Sequence, residues 1–314
     1  MNGAPLRLGT RKSPMAMAQA RRVAGLITER TGRPVEFLPV TTFGDVSRAE
    51  LAQIGGTGVF VSGLRACLLH DEIDLAVHSL KDLPASPVDG ITLAAVTQRD
   101  DPRDSLVARD GAKLADLPAG SRIGTGSPRR AAQLLLLRPD LRPVPVRGNA
   151  GTRLSKVASG EVDAVVLAYA GLARIGRLEA VSQVFEPEEM LPAAGQGALA
   201  VECSAGRPDL ASLLACADDP ASNAATTAER SVLAALKAGC SAPVGAYAAG
   251  TGTLRLHAVV AAASGGEALR ARAAGPAAGA AGLGREVAAE LLRRGAGRLM
   301  AGSDGHFSSG DDDR

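Results

Sequence analysis

Short apolar runs alternate with segments of helical periodicity along the first part of the chain. Ser13 followed by Pro14 marks the start of one helix, because serine is a preferred N-cap and proline suits the first helical position. Alternation of strands and helices predicts a mostly parallel sheet with helices on its faces. The strands predicted for this first unit cover residues 6–9, 35–40 and 73–78, and the helices cover 15–30 and 59–70.

The same alternation predicts a second α/β unit, which we place at residues 98–197. A further apolar strand at 198–202 is expected to return to the first sheet. The strands predicted within the second unit cover residues 105–108, 123–124, 144–146 and 164–167, and the helices cover 128–138 and 152–159.

The pattern changes after residue 218, where a long helix precedes antiparallel strands and a last helix. These elements are predicted at 221–238, 244–248, 254–262, 268–274 and 285–294. The fold class is therefore α/β, with two α/β domains and a smaller C-terminal α+β domain. The predicted domains are residues 1–97 with 198–217, residues 98–197, and residues 218–302, and the polar tail 303–314 is expected to be disordered.

Composition excludes several classes of protein. The 314 residues are 46% hydrophobic and 22% charged, which is typical of a globular protein. Aromatic residues make up 2% and the formal net charge is +2, so neither a base-stacking surface nor a strong field for nucleic acid or membranes is expected. Of the 35 basic residues 30 are Arg. We attribute most of that excess to nucleotide bias and judge each Arg by its local setting.

The four cysteines are widely spaced and form no C-x-x-C pair. This spacing indicates neither a zinc site nor a disulfide framework, so we expect no metal and a reducing compartment. The N-terminal segment lacks an apolar signal region, and the apolar runs are too short to span a bilayer. We therefore expect a cytoplasmic protein.

The sequence lacks two common phosphate-binding motifs. No Lys follows a Gly, so a Walker A loop is excluded. The turn at 124–129 starts like a dinucleotide fingerprint but has Arg129 in place of the third glycine, which disfavours a Rossmann site.

Basic residues recur where predicted strands give way to helices. Cations at a helix N-terminus oppose the helix dipole, whereas anions are favoured there. One such junction would be weak evidence, but three favour anion binding. The residues at these junctions are Arg11, Lys12 and Ser13, then Thr125, Ser127, Arg129 and Arg130, and then Arg147 and Arg153.

Two further segments carry candidate chemistry. Lys81 and Asp82 follow a buried strand, where Lys81 could pair an anion and Asp82 could act as an acid, a base or a cation stabiliser. A simple loop ion pair remains an alternative. Cys240 lies beside Gly239 in a tight loop, which makes it the candidate covalent site, although an ordinary loop thiol remains possible.

Eleven segments occur in order between residues 6 and 247. They read RKSPMAMAQA, TTFGD, GGTGVF, AVHSLKDLP, RDDPRD, GTGSPRR, VRGNAGTRLSK, LAYAGLARIG, LPAAGQGALAVEC, TAER and AGCSAPVGAY. Together they resemble the porphobilinogen deaminase family, also called hydroxymethylbilane synthases. The stretch after Tyr247 fits only loosely.

The resemblance implies two α/β domains like the lobes of periplasmic binding proteins, flanking a cleft, and a third domain. It implies an enzyme of tetrapyrrole synthesis that joins four porphobilinogens into a linear hydroxymethylbilane and releases ammonia at each step. A dipyrromethane cofactor would be attached to Cys240 by a thioether. No nucleic acid or membrane partner is implied, and we expect a monomer.

The matched motifs also imply roles for individual residues of this sequence. The family's catalytic aspartate falls on Asp82, which would stabilise the pyrrole N–H and the positively charged azafulvene left when ammonia departs. The resemblance places the cofactor against Lys81, Asp82, Thr125, Ser127, Arg129 and Arg130. It places the substrate or growing chain against Arg11, Ser13, Arg147 and Arg153, with Arg174 and Gln196 near the cleft. Each pyrrole carries two carboxylates, so many bidentate donors are expected.

Some positions depart from the family. Thr57 and Phe43 stand where relatives often have Lys and Arg, and Gly126 and Pro128 stand where Ser and Leu are common. The departures at 43 and 57 put loop contacts in doubt and leave the core chemistry intact. A two-lobed carboxylate-binding protein is the alternative class, but such proteins usually carry a secretion signal or a DNA-binding domain. A nucleotide or phosphate enzyme ranks third.

Overall fold

The structure is a computed structural model that describes residues 3–40, 59–239 and 241–301, with the backbone alone at 59–60. Four features named from the sequence lie outside the described residues. They are Phe43, Thr57, Cys240 and the tail 303–314.

The helices and strands follow the predicted alternation. The first part forms β1 (Leu6–Thr10), α1 (Pro14–Thr31), β2 (Val35–Pro39), α2 (Val59–Leu69), β3 (Leu75–Ser79) and β4 (Ile91–Val96). The second part forms β5 (Asp104–Ala108), β6 (Arg122–Gly124), α3 (Pro128–Leu137), β7 (Arg142–Val144), α4 (Ala150–Ala158), β8 (Ala164–Ala168), α5 (Tyr169–Arg174) and β9 (Gln183–Val184). The last part forms β10 (Leu199–Ser204), α6 (Pro208–Leu214), α7 (Pro220–Leu236), β11 (Val244–Ala249), β12 (Thr253–Ala261), β13 (Ala268–Pro276), α8 (Ala280–Arg293) and α9 (Ala296–Ala301).

The first sheet has the strand order β2-β1-β3-β10-β4. The pairs of β1 with β2 and with β3 are parallel, as the sequence predicts. β10 pairs antiparallel with both β3 and β4, and it lies between them. The predicted return of the strand at 198–202 to the first sheet is confirmed, but sequence analysis predicted neither β4 nor the antiparallel direction of β10.

The second sheet repeats this plan in the order β7-β6-β8-β5-β9. β6 pairs parallel with β7 and β8, whereas β5 pairs antiparallel with β8 and β9. In each sheet the reversed strand is the one that the chain enters after crossing from the other unit. The two crossings therefore place the segments 97–103 and 185–198 side by side between the sheets.

The third sheet is antiparallel, in the order β11-β12-β13. Its inward side chains pack on α7 and α8 and include Val244, Leu254 and Leu256. Small and branched aliphatic side chains build the cores, as the scarcity of aromatics predicts, and each fully buried Leu or Val contributes about 1.5–3 kcal/mol. The fold class expected from the sequence, two α/β units with a smaller α+β unit, is confirmed.

Side-chain caps fix several helix starts. Ser13 caps α1 with Pro14 at its first turn, as predicted. Asn149 caps α4, which begins at Ala150, two residues before the predicted start. The prediction for α8 was wrong at its start, because the helix begins at Ala280 and not at 285. Its glycines lower helix propensity, but a Cβ at Gly284 would lie 2.3 Å from Ala228 O, so close packing on α7 selects glycine there. Across the described helices, none is long and apolar enough to cross a membrane.

Candidate active site

Asp82 lies just beyond the carboxyl end of β3. The chain turns there through one turn of 3-10 helix, Leu80–Asp82, in which Leu80 is fully buried and Asp82 is exposed. The Leu80 N–H donates to Ala198 O (3.0 Å), which fixes the turn to the segment leading into β10. Asp82 forms no direct ion pair with any residue that the structure describes. The fold therefore presents an open carboxylate on a rigid turn.

Lys81 points from the same turn toward the second unit. Its Nζ donates to Gln196 Oε1 (3.1 Å). Burial lowers the pKa of Lys81 to about 8, and the nearby positive charge of Arg130 acts in the same direction, while Asp82 and Asp104 oppose it. The lysine is thus held in a region that already carries positive charge.

A buried carboxylate organises the start of α3. Asp104, the first residue of β5, is fully buried and accepts from Arg129 Nη1 (2.8 Å) and from Arg130 Nε and Nη2 (3.0 and 2.7 Å). The two guanidinium groups also donate to backbone oxygens, Arg129 Nη1 to Leu191 O (2.7 Å) and Arg130 Nη1 to Val166 O (3.1 Å). Burial opposes ionisation of Asp104, but the two guanidinium groups outweigh it and hold its pKa well below 3.8.

Sequence analysis missed Asp104, and it changes the reading of this helix start. We expected two cations there to require an anionic ligand, but Asp104 already supplies a counter-charge within the protein. The available signal was an acidic residue at the start of the apolar run 105–108. Two arginines on one carboxylate leave net positive charge, so the junction still attracts anions.

The turn before α3 places the two predicted hydroxyl groups. Ser127 caps the helix, with its Oγ accepting from the Arg130 N–H (3.4 Å). Thr125 is fully buried, and its Oγ1 accepts from the Ser127 N–H (3.2 Å). Both hydroxyl groups therefore stabilise the turn through hydrogen bonds to its own backbone.

Gln196 links the two α/β units at the crossing. Its Nε2 donates to Pro102 O (2.7 Å) and to Asp104 Oδ1 (2.9 Å), while its Oε1 accepts from Lys81. The chain passes close by at Gly197, where a Cβ would lie 2.5 Å from Asp100 O and φ is +93°. Only glycine fits this position without strain.

Arg174, at the end of α5, also lies at the crossing. Its Nε donates to Asp100 Oδ2 (3.0 Å) and its Nη2 donates to Gly197 O (2.5 Å). Asp100 accepts a second guanidinium, that of Arg22 on α1 (2.5 Å). These groups border a cavity of about 310 Å³ between the first two units. The predicted Arg174 thus faces open space between them.

The third predicted junction carries two arginines that differ in burial. Arg153 on α4 is partly buried and donates to Gly148 O (3.0 Å). Burial lowers the pKa of Arg153, as does Arg130, whereas Asp82 raises it. Arg147 is exposed. Arg153 therefore lies within electrostatic reach of both Asp82 and the α3 start.

The first junction lies at the end of β1. Arg11 is partly buried there, and Ser13 Oγ accepts from the Ala16 N–H (3.2 Å). From the next turns of α1, Gln19 Nε2 donates to Ser79 Oγ (2.7 Å) at the end of β3. The contact ties the Arg11 junction to the strand that carries Asp82.

A second buried carboxylate joins the third unit to the crossings. Glu229 of α7 is fully buried and accepts from Arg99 Nη1 (2.6 Å), from the Gly195 N–H (2.7 Å) and from the Ala248 N–H (2.8 Å). Arg99 Nε donates in turn to Gln196 O (2.8 Å). Sequence analysis missed this pair, because its partners are 130 residues apart.

Cys240 itself lies outside the described residues. It follows α7 in the chain, and its neighbours Gly239 and Ser241 are both exposed. Arg230 of α7 donates to Pro84 O (2.6 Å), just after the Asp82 turn. The helix that leads to Cys240 therefore contacts the loop that carries Asp82.

Comparisons with known proteins agree over nearly the whole chain. The family model described as "Porphobilinogen deaminase, dipyromethane cofactor binding domain" matches residues 6–212, and "Porphobilinogen deaminase, C-terminal domain" matches 224–293. The porphobilinogen deaminase of Thermobifida fusca is 57% identical over 311 residues, covering 96% of this chain and 97% of that protein. Porphobilinogen deaminase 1 of Streptomyces coelicolor is 52% identical, covering 94% and 97%. Among solved structures, the methionine binding protein MetQ aligns with a TM-score of 0.44 at 11% identity, covering 68% of this chain and 89% of that chain.

Proposed function

The chain belongs to the porphobilinogen deaminase family, and from that premise we propose that it joins four porphobilinogen molecules into linear hydroxymethylbilane, with loss of ammonia at each step. It is a transferase of tetrapyrrole synthesis. The observation that carries the proposal is the exposed Asp82 carboxylate, set among Lys81, Arg153 and Arg174 at the junction of the two α/β units.

The donor set fits a dipyrromethane cofactor, whose side chains are carboxylates. Lys81, Ser127, Arg129 and Arg130, with Thr125 and Asp82, would hold it, and Cys240 would carry its thioether. The positive charges of Lys81, Arg129 and Arg130 outnumber the single negative charge of Asp104, which supports this assignment. Because Asp104 holds both guanidinium groups, Arg129 and Arg130 would act as fixed charges. When bound, the cofactor supplies the pyrrole to which the first substrate unit is joined.

Asp82 would act on the substrate. Departure of ammonia from porphobilinogen leaves a positively charged azafulvene, and a carboxylate beside it lowers the free energy of that cation. The same oxygens can accept from the pyrrole N–H. The 3-10 turn fixes the carboxylate, so little reorganisation is needed when the charge develops.

The other arginines would bind the carboxylates of the substrate and of the growing chain. We assign this role to Arg11, Ser13, Arg147, Arg153 and Arg174, with Gln196 positioning Lys81. Partial burial of Arg153 and Arg174 strengthens their hydrogen bonds to anions relative to fully solvated side chains.

We further propose the domain limits 1–97 with 198–217, 98–197 and 218–302. The three sheets, with β10 in the first, support this division. The substrate partner would be porphobilinogen in the cytoplasm, and the protein would be a monomer that binds neither nucleic acid nor membrane. The near-neutral net charge supports the last point.

Intact mass tests the thioether. We expect the purified protein to exceed its sequence mass by two linked pyrroles and to colour with Ehrlich's reagent. Cys240→Ser should lose both signals, whereas Cys216→Ser, at a partly buried cysteine, should keep them. An unmodified Cys240 thiol in active protein would remove the cofactor assignment.

The low pKa of Lys81 gives a second test. In Cys240→Ala, competitive acetylation followed by mass spectrometry should show Lys81 reactivity levelling off near pH 8, with exposed Lys113 as an internal reference. Carboxylates favour the charged amine, so the midpoint should rise in the cofactor-loaded wild type. Equal midpoints in the two proteins would contradict contact between Lys81 and the cofactor. Because the folded pKa lies below the unfolded value of 10.5, this group makes the unfolding free energy rise with pH between about 8 and 10.5.

A further inference from the structure

The outward face of the C-terminal sheet is basic. Side chains alternate along its strands, and those that pack on α7 and α8 include Leu254, Leu256 and Ala258. The intervening positions point away from these helices. On β12 and β13 they carry Arg255, His257, Arg270 and Arg272.

The strand register brings these groups together. His257 lies directly opposite Arg272, and Val259 lies opposite Arg270, two residues along the same face. Arg255 lies two residues from His257 on β12. Arg255 lies diagonally from Arg272, so the arginines of this face are close enough to repel one another. A negative group against the face would relieve this repulsion.

The protein supplies little counter-charge there. Among the described residues, none of the three arginines forms an ion pair. Other arginines of the same unit do, since Arg293 pairs with Glu290 and Arg298 with Glu267. A general excess of arginine does not explain this contrast.

A segment of the second unit forms a wall of this face. A Cβ at Gly245 would lie 2.8 Å from Leu191 O, so the chain around 187–191 packs directly on the sheet. Beside this contact lies a recess of about 10 Å³ bordered by Glu188, His257, Arg270 and Arg272. That volume holds about one water molecule, so an anion would lie over the mouth of the recess, against the face of the sheet.

The charged groups around the recess interact electrostatically. Burial lowers the pKa of His257, as do Arg272 and Arg255, while Glu188 opposes them. Burial and Arg272 also lower the pKa of Arg270. Each shift has the direction that an anion bound against this face would reverse.

We propose that Arg255, His257, Arg270 and Arg272 form a binding site for a small oxyanion that carries two or more negative charges. This site is separate from the residues around Asp82 and does not depend on the proposed function. Guanidinium forks and an imidazolium match the oxygens of phosphate groups and of clustered carboxylates, so both sources share the required chemistry.

The holoenzyme tests the proposal with two probes, inorganic pyrophosphate and citrate. Binding is followed through the His257 imidazole resonances, assigned with His257→Gln, so that binding near Asp82 does not interfere. We expect at least one probe to raise the pKa of His257. The double variant Arg270→Gln/Arg272→Gln should weaken that probe's affinity about 10-fold or more. The matched control Arg293→Gln/Arg298→Gln, which removes two paired surface arginines, should bind as the wild type does.

The results distinguish the two ligand sources and include outcomes that overturn the proposal. Tighter binding of pyrophosphate supports a phosphate ligand, and tighter binding of citrate supports a polycarboxylate. The proposal is overturned if neither probe shifts His257, or if the Arg270→Gln/Arg272→Gln variant binds as tightly as the wild type. Circular dichroism of both double variants checks that they are folded. Because the readout is local to His257, its failure leaves the test of Asp82 untouched.

Discussion

Asp82→Asn should reduce kcat by about 10²–10³-fold, corresponding to about 2.7–4 kcal/mol of lost transition-state stabilisation. Asparagine keeps the shape of the side chain and can still accept a hydrogen bond, but it carries no charge to stabilise the cation left by ammonia. Asp82 is exposed and makes no direct ion pair with a described residue, so its loss should leave stability nearly unchanged. Steady-state kinetics and a urea unfolding curve measure the two effects.

Asp116→Asn provides the matched control. Asp116 is also an exposed aspartate at the end of a 3-10 turn that starts with a buried leucine, Leu114–Asp116. This turn lies at the C-terminal end of α3, where Arg138 donates to Leu114 O and Ala115 O. We expect wild-type rates from that variant. Near-normal turnover by Asp82→Asn would exclude a catalytic charge at this position, and loss of its folded state would be visible in the unfolding curve.

Asp104→Asn should destabilise the protein by about 3–5 kcal/mol, because it leaves two buried guanidinium groups without their counter-charge. The pKa of Asp104 is lowered in the folded state, so its contribution is complete above the unfolded value of 3.8 and is lost as the pH falls through the folded one. The loss in the variant should therefore be similar at all pH values from about 5 to 8. Urea unfolding at several pH values measures it.

Asp163→Asn is the control for this effect. Asp163 also lies between two arginines, Arg109 and Arg122, but at 3.9 and 3.8 Å and with about a third of its side chain exposed. Solvent screens such pairs, and we expect a change within about 1 kcal/mol. Equal losses at 104 and 163 would show that burial of the Asp104 cluster adds nothing.

Local signals predicted much of the fold. Alternating apolar runs gave the parallel strands β1, β2 and β3, and Ser13 with Pro14 gave the start of α1. Both signals act over a few residues, so the sequence shows them directly. The positions of Lys81 and Asp82 beyond β3 follow from the same reasoning, since strand ends present side chains at a sheet edge.

The remaining features depend on partners distant in sequence. Asp104 reaches arginines 25 and 26 residues away, and Glu229 reaches Arg99 across 130 residues. No periodicity or motif records such pairings. β4 was missed for a similar reason, because the strand that pairs with it, β10, lies more than 100 residues further along the chain.

The place of β10 also has a consequence for synthesis on the ribosome. β3 and β4 receive their shared neighbour only after residues 199–204 have emerged. By then β5 to β9 are already complete, so the second sheet can close first. The first four strands of the nascent chain must wait, with the edges of β3 and β4 exposed, until translation has passed the unit that follows them.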